Sequence, residues 1–379
     1  MKKNKVKVAI VFYLLLAFLL LAISETGFYL LEKYSFQIRK SLNLISSQQA
    51  QLEKYKTYEG SKDGLWRLQP GYSLTLSQLI NEKAESGHSL AVKSLNDLKS
   101  KYNLSSDEIL IRINSSGFRG TEIDYSPSCR KILAIGDSCT FGTAIEKFTY
   151  PSVMEKELKR AGKEVKVING GIEGYSPKNV LSYIDSYTRI KPEIVVIYIG
   201  WNALYAEKFL KGAEKYSHTV SFLKRIFNKR KAIDLFAKPK FYETQSVELK
   251  EYENYVPGFM DDVEKIIANM KTVSKTIFIV TLPGLYITGE VPSEKAMKKG
   301  HLPEYTSNPM VLAKITERYN NELRLLAEKE HVQLIDLHEW SLKTLRPREA
   351  YFNDSVHLTE EGQEMIGKHL AEVICEAIK

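Results

Sequence analysis

The chain carries the segment Lys131-Ile-Leu-Ala-Ile-Gly-Asp-Ser-Cys-Thr-Phe-Gly142, and the rest of the sequence can be placed relative to it. Ile132 to Ile135 is an apolar run without polar alternation, the pattern of a strand buried on both faces. The run stops at Gly136, and Asp137 and Ser138 follow before a helical pattern begins. A serine at the carboxyl end of the first strand of an α/β sheet sits where such folds bind ligands. The strand-to-helix turn also leaves backbone N–H groups beside the hydroxyl, suited to an oxyanion. Gly-Asp-Ser alone is the composition of any ordinary turn. The chemical reading therefore needs a base from elsewhere in the chain.

Downstream, strands and helices alternate as in an open α/β sheet. The strand candidates are Ile132–Ile135, Val165–Ile168, Ile194–Ile199, Thr276–Thr281 and Val332–Leu337. Helical spacing covers Pro151–Arg160, Pro177–Thr188, Asp261–Met270, Leu312–Glu328 and about Thr359 to Ile378. Thr359 is the expected N-cap of the last helix, with acidic residues in its first turn. The expected architecture is a flavodoxin-like three-layer α/β sandwich around a five-stranded parallel sheet. Residues 205–255 are long for a strand–helix connection and rich in Lys and aromatics, which suggests a lid or a membrane-facing insert.

Three further segments fall at carboxyl ends of expected strands or in the last loop. Asn169-Gly-Gly-Ile-Glu-Gly174 follows the second strand, and its glycines let backbone N–H groups approach a ligand. Gly200-Trp-Asn202 follows the third and puts an amide on the rim of the sheet. Asp354-Ser-Val-His357 precedes the last helix. At that spacing Asp354 reaches His357 Nδ1 and leaves Nε2 facing Ser138. This is the orienter, base and nucleophile order that an otherwise inert hydroxyl requires. His338, beside Asp336 after the fifth strand, is the competing base. No His/Cys/Asp/Glu cluster has metal-ligand spacing, so the expected chemistry uses no metal and no cofactor.

These blocks resemble the SGNH (GDSL-type) hydrolase superfamily over about Asn114 to Ile378. The resemblance implies an ester-cleaving serine enzyme. Ser138, His357 and Asp354 would be its triad, and the Ser138 and Gly174 N–H groups and the Asn202 amide its oxyanion hole. Asn114-Ser-Ser-Gly-Phe-Arg-Gly120 is similar to the lead-in of membrane-linked members, and its aromatic and arginine are expected to pack on the domain. Two features depart from the family: Ala203 stands where Asp often follows the asparagine, and Trp201 adds bulk beside the site. Thr140 also occupies the place of the second glycine in the Gly-x-Ser-x-Gly elbow, which argues against that serine-esterase fold. The resemblance leaves open whether water or a sugar hydroxyl takes the acyl group. A silent glycan-binding descendant is the third reading, and the intact Ser, Asn, Asp and His positions count against it.

Before this domain, Lys2, Lys3, Lys5 and Lys7 precede an apolar run from Val8 to Ile23. The run reads as an uncleaved signal-anchor, with residues 6–24 in the membrane and the N-terminus cytoplasmic. The rival reading is a signal peptide cut near Ala22-Ile-Ser24. Both put the remainder outside the cytoplasm. The expected division is an anchor over 1–31, a stalk and accessory region over 32–113, and a hydrolase domain over 114–379. Within the accessory region, 32–58 reads as a stalk helix, and 108–113 as a strand.

Composition is that of a folded protein, not a disordered one: 44% hydrophobic, 11% aromatic, with a diffuse net charge of +8. The cluster Lys224-Arg225…Lys229-Arg230-Lys231 reads as a solvated helix face, and no nucleic-acid motif accompanies it. Cys129, Cys139 and Cys375 make no disulfide framework, and Cys139 reads as a small buried hydrophobe.

Overall fold

The computed structural model describes residues 13, 16, 19–28, 30, 57–60, 65–85, 89–126, 129–143, 145–206, 237–245 and 247–378. The chain divides into two compact units, the larger spanning 56–59, 67–207 and 236–379. Described residues of the other unit include the helical segment 19–28. Most of the expected anchor and stalk, and the 207–236 part of the expected insert, lie outside the described residues. Among the described residues no helix is long and apolar enough to cross a membrane.

The larger unit is built on five parallel strands: β3 (Arg130–Gly136), β4 (Val165–Gly171), β5 (Ile194–Tyr198), β6 (Thr276–Val280) and β7 (Gln333–Ile335). Their spatial order is β4-β3-β5-β6-β7, the flavodoxin-like order in which strand direction of travel reverses between β3 and β5. Every residue of β5 is buried, and each buried Val or Ile there contributes about 1.5–3 kcal/mol of transfer free energy. Among the small strands that precede the sheet, β1 (Ser73–Thr75) and β2 (Ile109–Arg112) pair antiparallel.

Right-handed crossovers fix which face each helix covers. The β3–β4 connection carries α4 (Tyr150–Arg160). The later connections travel the other way and carry α5 (Pro177–Ser182), α6 (Ile184–Arg189), α8 (Met260–Lys271) and α10 (Pro309–Lys329) to the opposite face. The last helix, α13 (Glu360–Ala377), returns to pack on α4, while α5 and α6 pack on α8. Thr359 caps α13 as expected, accepting from the Gly362 N–H. Helices α1 (Leu76–Glu85) and α2 (Ser89–Lys101) share a small core of Leu76, Leu104, Leu110 and Ile145 with Phe148. Tyr102 ties that core to α13 through a 2.8 Å hydrogen bond to Glu361.

Several boundaries differ from expectation for local reasons. β4 continues through Asn169, Gly170 and Gly171, paired with Ala134, Ile135 and Gly136. The glycine block therefore begins inside the sheet, not after it. β7 ends early because Asp336 turns to cap α11 (Leu337–Thr344), accepting from the Glu339 N–H; the short α12 (Arg348–Tyr351) follows before α13. The expected helix over 177–188 breaks at Tyr183 into α5 and α6.

Candidate active site

The nucleophile turn is set by close approach at Gly136. A Cβ there would lie 2.0 Å from Thr140 Oγ1 and 2.3 Å from the Tyr198 carbonyl. Only glycine lets β3 pass so near β5 before the chain turns into α3 (Ser138–Phe141). Asp137 caps this helix: its side chain accepts from the Cys139 N–H at 2.9 Å. Its carbonyl accepts from Thr140 and Phe141 at 3.1 and 2.8 Å. These bonds consume the following N–H groups and leave the Ser138 N–H outside the set. Thr140, which departs from the elbow pattern, has its hydroxyl 3.1 Å from Tyr150 OH and 3.3 Å from the Tyr198 carbonyl.

The helix is braced from below by Arg119, which is buried. Its guanidinium donates to the carbonyls of Phe141 (2.7 Å), Leu110 (2.7 Å) and Thr143 (2.9 Å). Asn169 of β4 adds a 3.1 Å bond to the same Phe141 carbonyl. The lead-in segment thus packs, as expected from sequence, and what it packs on is the support of the serine.

Ser138 Oγ lies 2.7 Å from His357 Nε2, and His357 Nδ1 lies 2.7 Å from Asp354 Oδ2. The other carboxylate oxygen of Asp354 accepts the N–H groups of Val356 and His357 at 2.9 and 2.8 Å. The fold brings together the three residues named from spacing. It does not bring Asp336 to His338: Arg324 holds that carboxylate at 2.8 and 3.0 Å, and Thr281 donates to it.

Burial opposes charging of His357, but the hydrogen bond and charge of Asp354, with Asp137 and Glu173 beyond, raise its pKa above the ordinary imidazole value. Burial would raise Asp354, and the hydrogen bonds from His301 and His357 outweigh it, holding the carboxyl well below its usual range. Burial pushes Asp137 up to about 6, against the Cys139 N–H and the His357 charge. Cys139 is buried, its thiol pushed far up by desolvation, with Sγ 3.5 Å from the Val356 carbonyl. It is an inert packing group, in line with its sequence reading.

Gly174 occupies a turn closed by the Tyr175 N–H on the Ile172 carbonyl at 3.2 Å. Its φ of 77° is the left-handed conformation that selects glycine there. Asn202 lies in α7 (Trp201–Ala206), just past β5. Its Nδ2 donates to the Tyr175 carbonyl at 3.1 Å. An amide nitrogen carries two hydrogens, so this bond orients the group and leaves a second N–H on the same atom. Ser138 and Asn202 therefore stand at the carboxyl ends of β3 and β5, on either side of the topological switch point.

Sequence reading missed His301. Its Nε2 lies 3.3 Å from Asp354 Oδ2, the oxygen that also meets His357. The residue sits in an irregular segment after α9 (Glu294–Lys299), where no periodicity marks it. The sequence shows no metal-ligand spacing, yet the fold brings donor atoms of His301, Asp354 and His357 within 4.8 Å of one another, close enough for an ion. That proximity arises from the fold and is not visible in sequence spacing. Both imidazoles face Asp354 Oδ2 at hydrogen-bonding separations, and we read the group as hydrogen-bonded partners, not ligands.

Residues 134–365 match the GDSL-like Lipase/Acylhydrolase family. No curated protein matches the chain. Among solved structures, the lipase/acylhydrolase from Enterococcus faecalis is similar at 16% identity, covering 65% of this chain and 96% of its own, with a TM-score of 0.41. A catalytic mutant of an acetylxylan esterase from Geobacillus stearothermophilus is similar at 18% identity, with 65% and 94% coverage and a TM-score of 0.41. An acetyl xylan esterase, AlAXEase, gives 16% identity, 64% and 99% coverage and a TM-score of 0.41. The family match spans more than half of the sequence, and the chain belongs to the GDSL-like lipase/acylhydrolase family as an ester-hydrolysing enzyme.

Proposed function

We propose that the protein is a membrane-anchored serine esterase that removes an O-acyl group from a glycan or lipid of the cell envelope through an acyl-enzyme on Ser138. The observation that carries this reading is the unbroken Ser138–His357–Asp354 relay, with both links at 2.7 Å. His357 Nε2 takes the hydroxyl proton as Ser138 Oγ attacks the ester carbonyl. The carbonyl oxygen becomes an oxyanion, held by the N–H groups of Ser138 and Gly174 and the free amide hydrogen of Asn202. Collapse breaks the ester C–O bond, and the departing alkoxide takes the proton from His357. Water then repeats the sequence on the acyl-enzyme: His357 accepts its proton, the acid is released, and Ser138 recovers its hydrogen. Asp354 holds the imidazole tautomer and balances its charge.

The anchor rests on the lysines before the Val8–Ile23 run. Among its described residues, Leu19, Leu20, Leu21 and Ile23 are exposed, which is costly in water and favourable in lipid. The lysine asymmetry puts the enzymatic domain on the outer side of the membrane.

Turnover of short and long acyl esters by the purified chain, with and without a sugar acceptor, tests the reaction. Release of free acid with the acceptor present supports hydrolysis, whereas acyl-sugar product would make the enzyme a transferase. Intact mass measurement of membrane-derived protein tests the anchor, and an N-terminus at Glu25 would contradict it.

A further inference from the structure

We infer that His301 is a positioning residue for the triad, donating a second imidazole N–H to the Asp354 oxygen that orients His357. This inference rests on the serine-esterase reading and adds to it a group that the four sequence blocks do not contain.

Three observations converge on His301. Its Nε2 is 3.3 Å from Asp354 Oδ2, against 2.7 Å for His357 Nδ1 on that same oxygen. Its side chain is only 15% exposed, so this contact is poorly screened by water. Its backbone is tied to the triad loop itself. The His301 N–H donates to Ser355 Oγ at 3.0 Å, and its carbonyl accepts from the Ser355 hydroxyl and from Tyr205 OH, the latter at 2.9 Å. Ser355 lies between Asp354 and His357, so the two loops are locked in register. The Tyr205 ring meets the imidazole edge-on with centroids 5.3 Å apart. The backbone bonds and the edge-on ring contact hold the imidazole with Nε2 toward Asp354.

The consequence follows from how a carboxylate shares its charge. Asp354 accepts two backbone N–H groups on Oδ1 and the His357 imidazole on Oδ2, and His301 Nε2 approaches that same Oδ2 at 3.3 Å as a fourth nitrogen. Each added donor spreads the charge and weakens the pull that remains on the His357 proton. His301 thus tempers the basicity that Asp354 confers, keeping His357 neutral, and able to act as base, to lower pH. The other groups facing this pair are Asp137 and Glu173 toward His357, and Cys139, Tyr205 and Tyr286 toward Asp354.

The test compares His301→Leu, His301→Asn and His301→Gln with the wild type in the full chain, using p-nitrophenyl acetate from about pH 5 to 9. A Gln amide reaches the place of Nε2, whereas an Asn amide is too short. Losing one charge-assisted bond should lower kcat about tenfold in the Leu and Asn variants, with KM held within about twofold. The acid limb of the kcat profile should move up by about one pH unit in both. His301→Gln should recover most of the rate and return the limb. Wild-type kcat and pH limb in His301→Leu would overturn the inference. If the Leu variant does not fold, the Asn and Gln pair decides, and equal behaviour of the two overturns it. Fluorophosphonate labelling separates this from the reading beneath it. A wild type that hydrolyses the ester without labelling at Ser138 overturns both, while labelling with an unaltered His301→Leu profile overturns the role of His301 alone.

Discussion

Arg119 donates to the Phe141 carbonyl at 2.7 Å, and its guanidinium lies 4.3 Å from the centroid of the Phe141 ring. A residue from the lead-in segment therefore fixes the end of the helix whose first residue is the nucleophile. Replacing it with Met leaves the carbonyls of Phe141, Leu110 and Thr143 without this donor, at about 1–3 kcal/mol for each buried acceptor. Arg119→Met should lose about 3 kcal/mol or more of stability, measured by denaturant unfolding. The folded fraction should also turn over more slowly. Unchanged stability would mean that the helix holds itself.

The site residues should rank by role. His357→Ala removes the base and should cost about as much rate as Ser138→Ala, since triad members act as a unit. Asn202→Ala removes one of three oxyanion donors, at about 10²–10³ in kcat or roughly 3–4 kcal/mol. Asp354→Asn should fall between, because the imidazole stays near its place but can take the wrong tautomer. His338→Ala should retain near-normal turnover, because Arg324 and Thr281 already engage Asp336. Steady-state kinetics on short acyl esters check the order, and loss of turnover in His338→Ala alone would require a different triad.

The raised pKa of His357 gives activity and stability opposite dependences on pH. Only neutral imidazole serves as the base, so kcat/KM should fall on the acid side with a midpoint above about 6.5. For stability, a raised folded-state pKa contributes most below about 6.5 and is lost as pH rises through the folded value. Asp354, held low, contributes above about 3.9, and that contribution is lost as pH falls toward its folded-state value. A pH–rate profile beside a pH–unfolding series tests both signs. An acid limb below 6.5 would contradict the Asp354–His357 coupling.

Much of this was legible in the chain because parallel strands buried on both faces must be apolar throughout. Ile194–Tyr198 is the clearest case: all five residues are buried, and the sequence shows them as one run. The Asp354–His357 spacing was legible too, since a three-residue separation lets one side chain reach the other within a single loop. The glycine block was placed too late, because Gly170 and Gly171 carry no strand signal of their own. They are in the sheet because Ile135 and Gly136 pair with them. His301 left no local trace, since its role arises from a loop packing against Ser355. A position defined only by tertiary contact has no periodicity to find.

The most direct measurement is mass-spectrometric mapping of the fluorophosphonate adduct on the purified wild-type chain, alongside the His357→Ala variant. The account predicts one adduct on Ser138 in the wild type, loss of esterase activity in step with labelling, and much slower labelling without His357. An adduct on another residue, or full esterase activity after complete modification of Ser138, would contradict it.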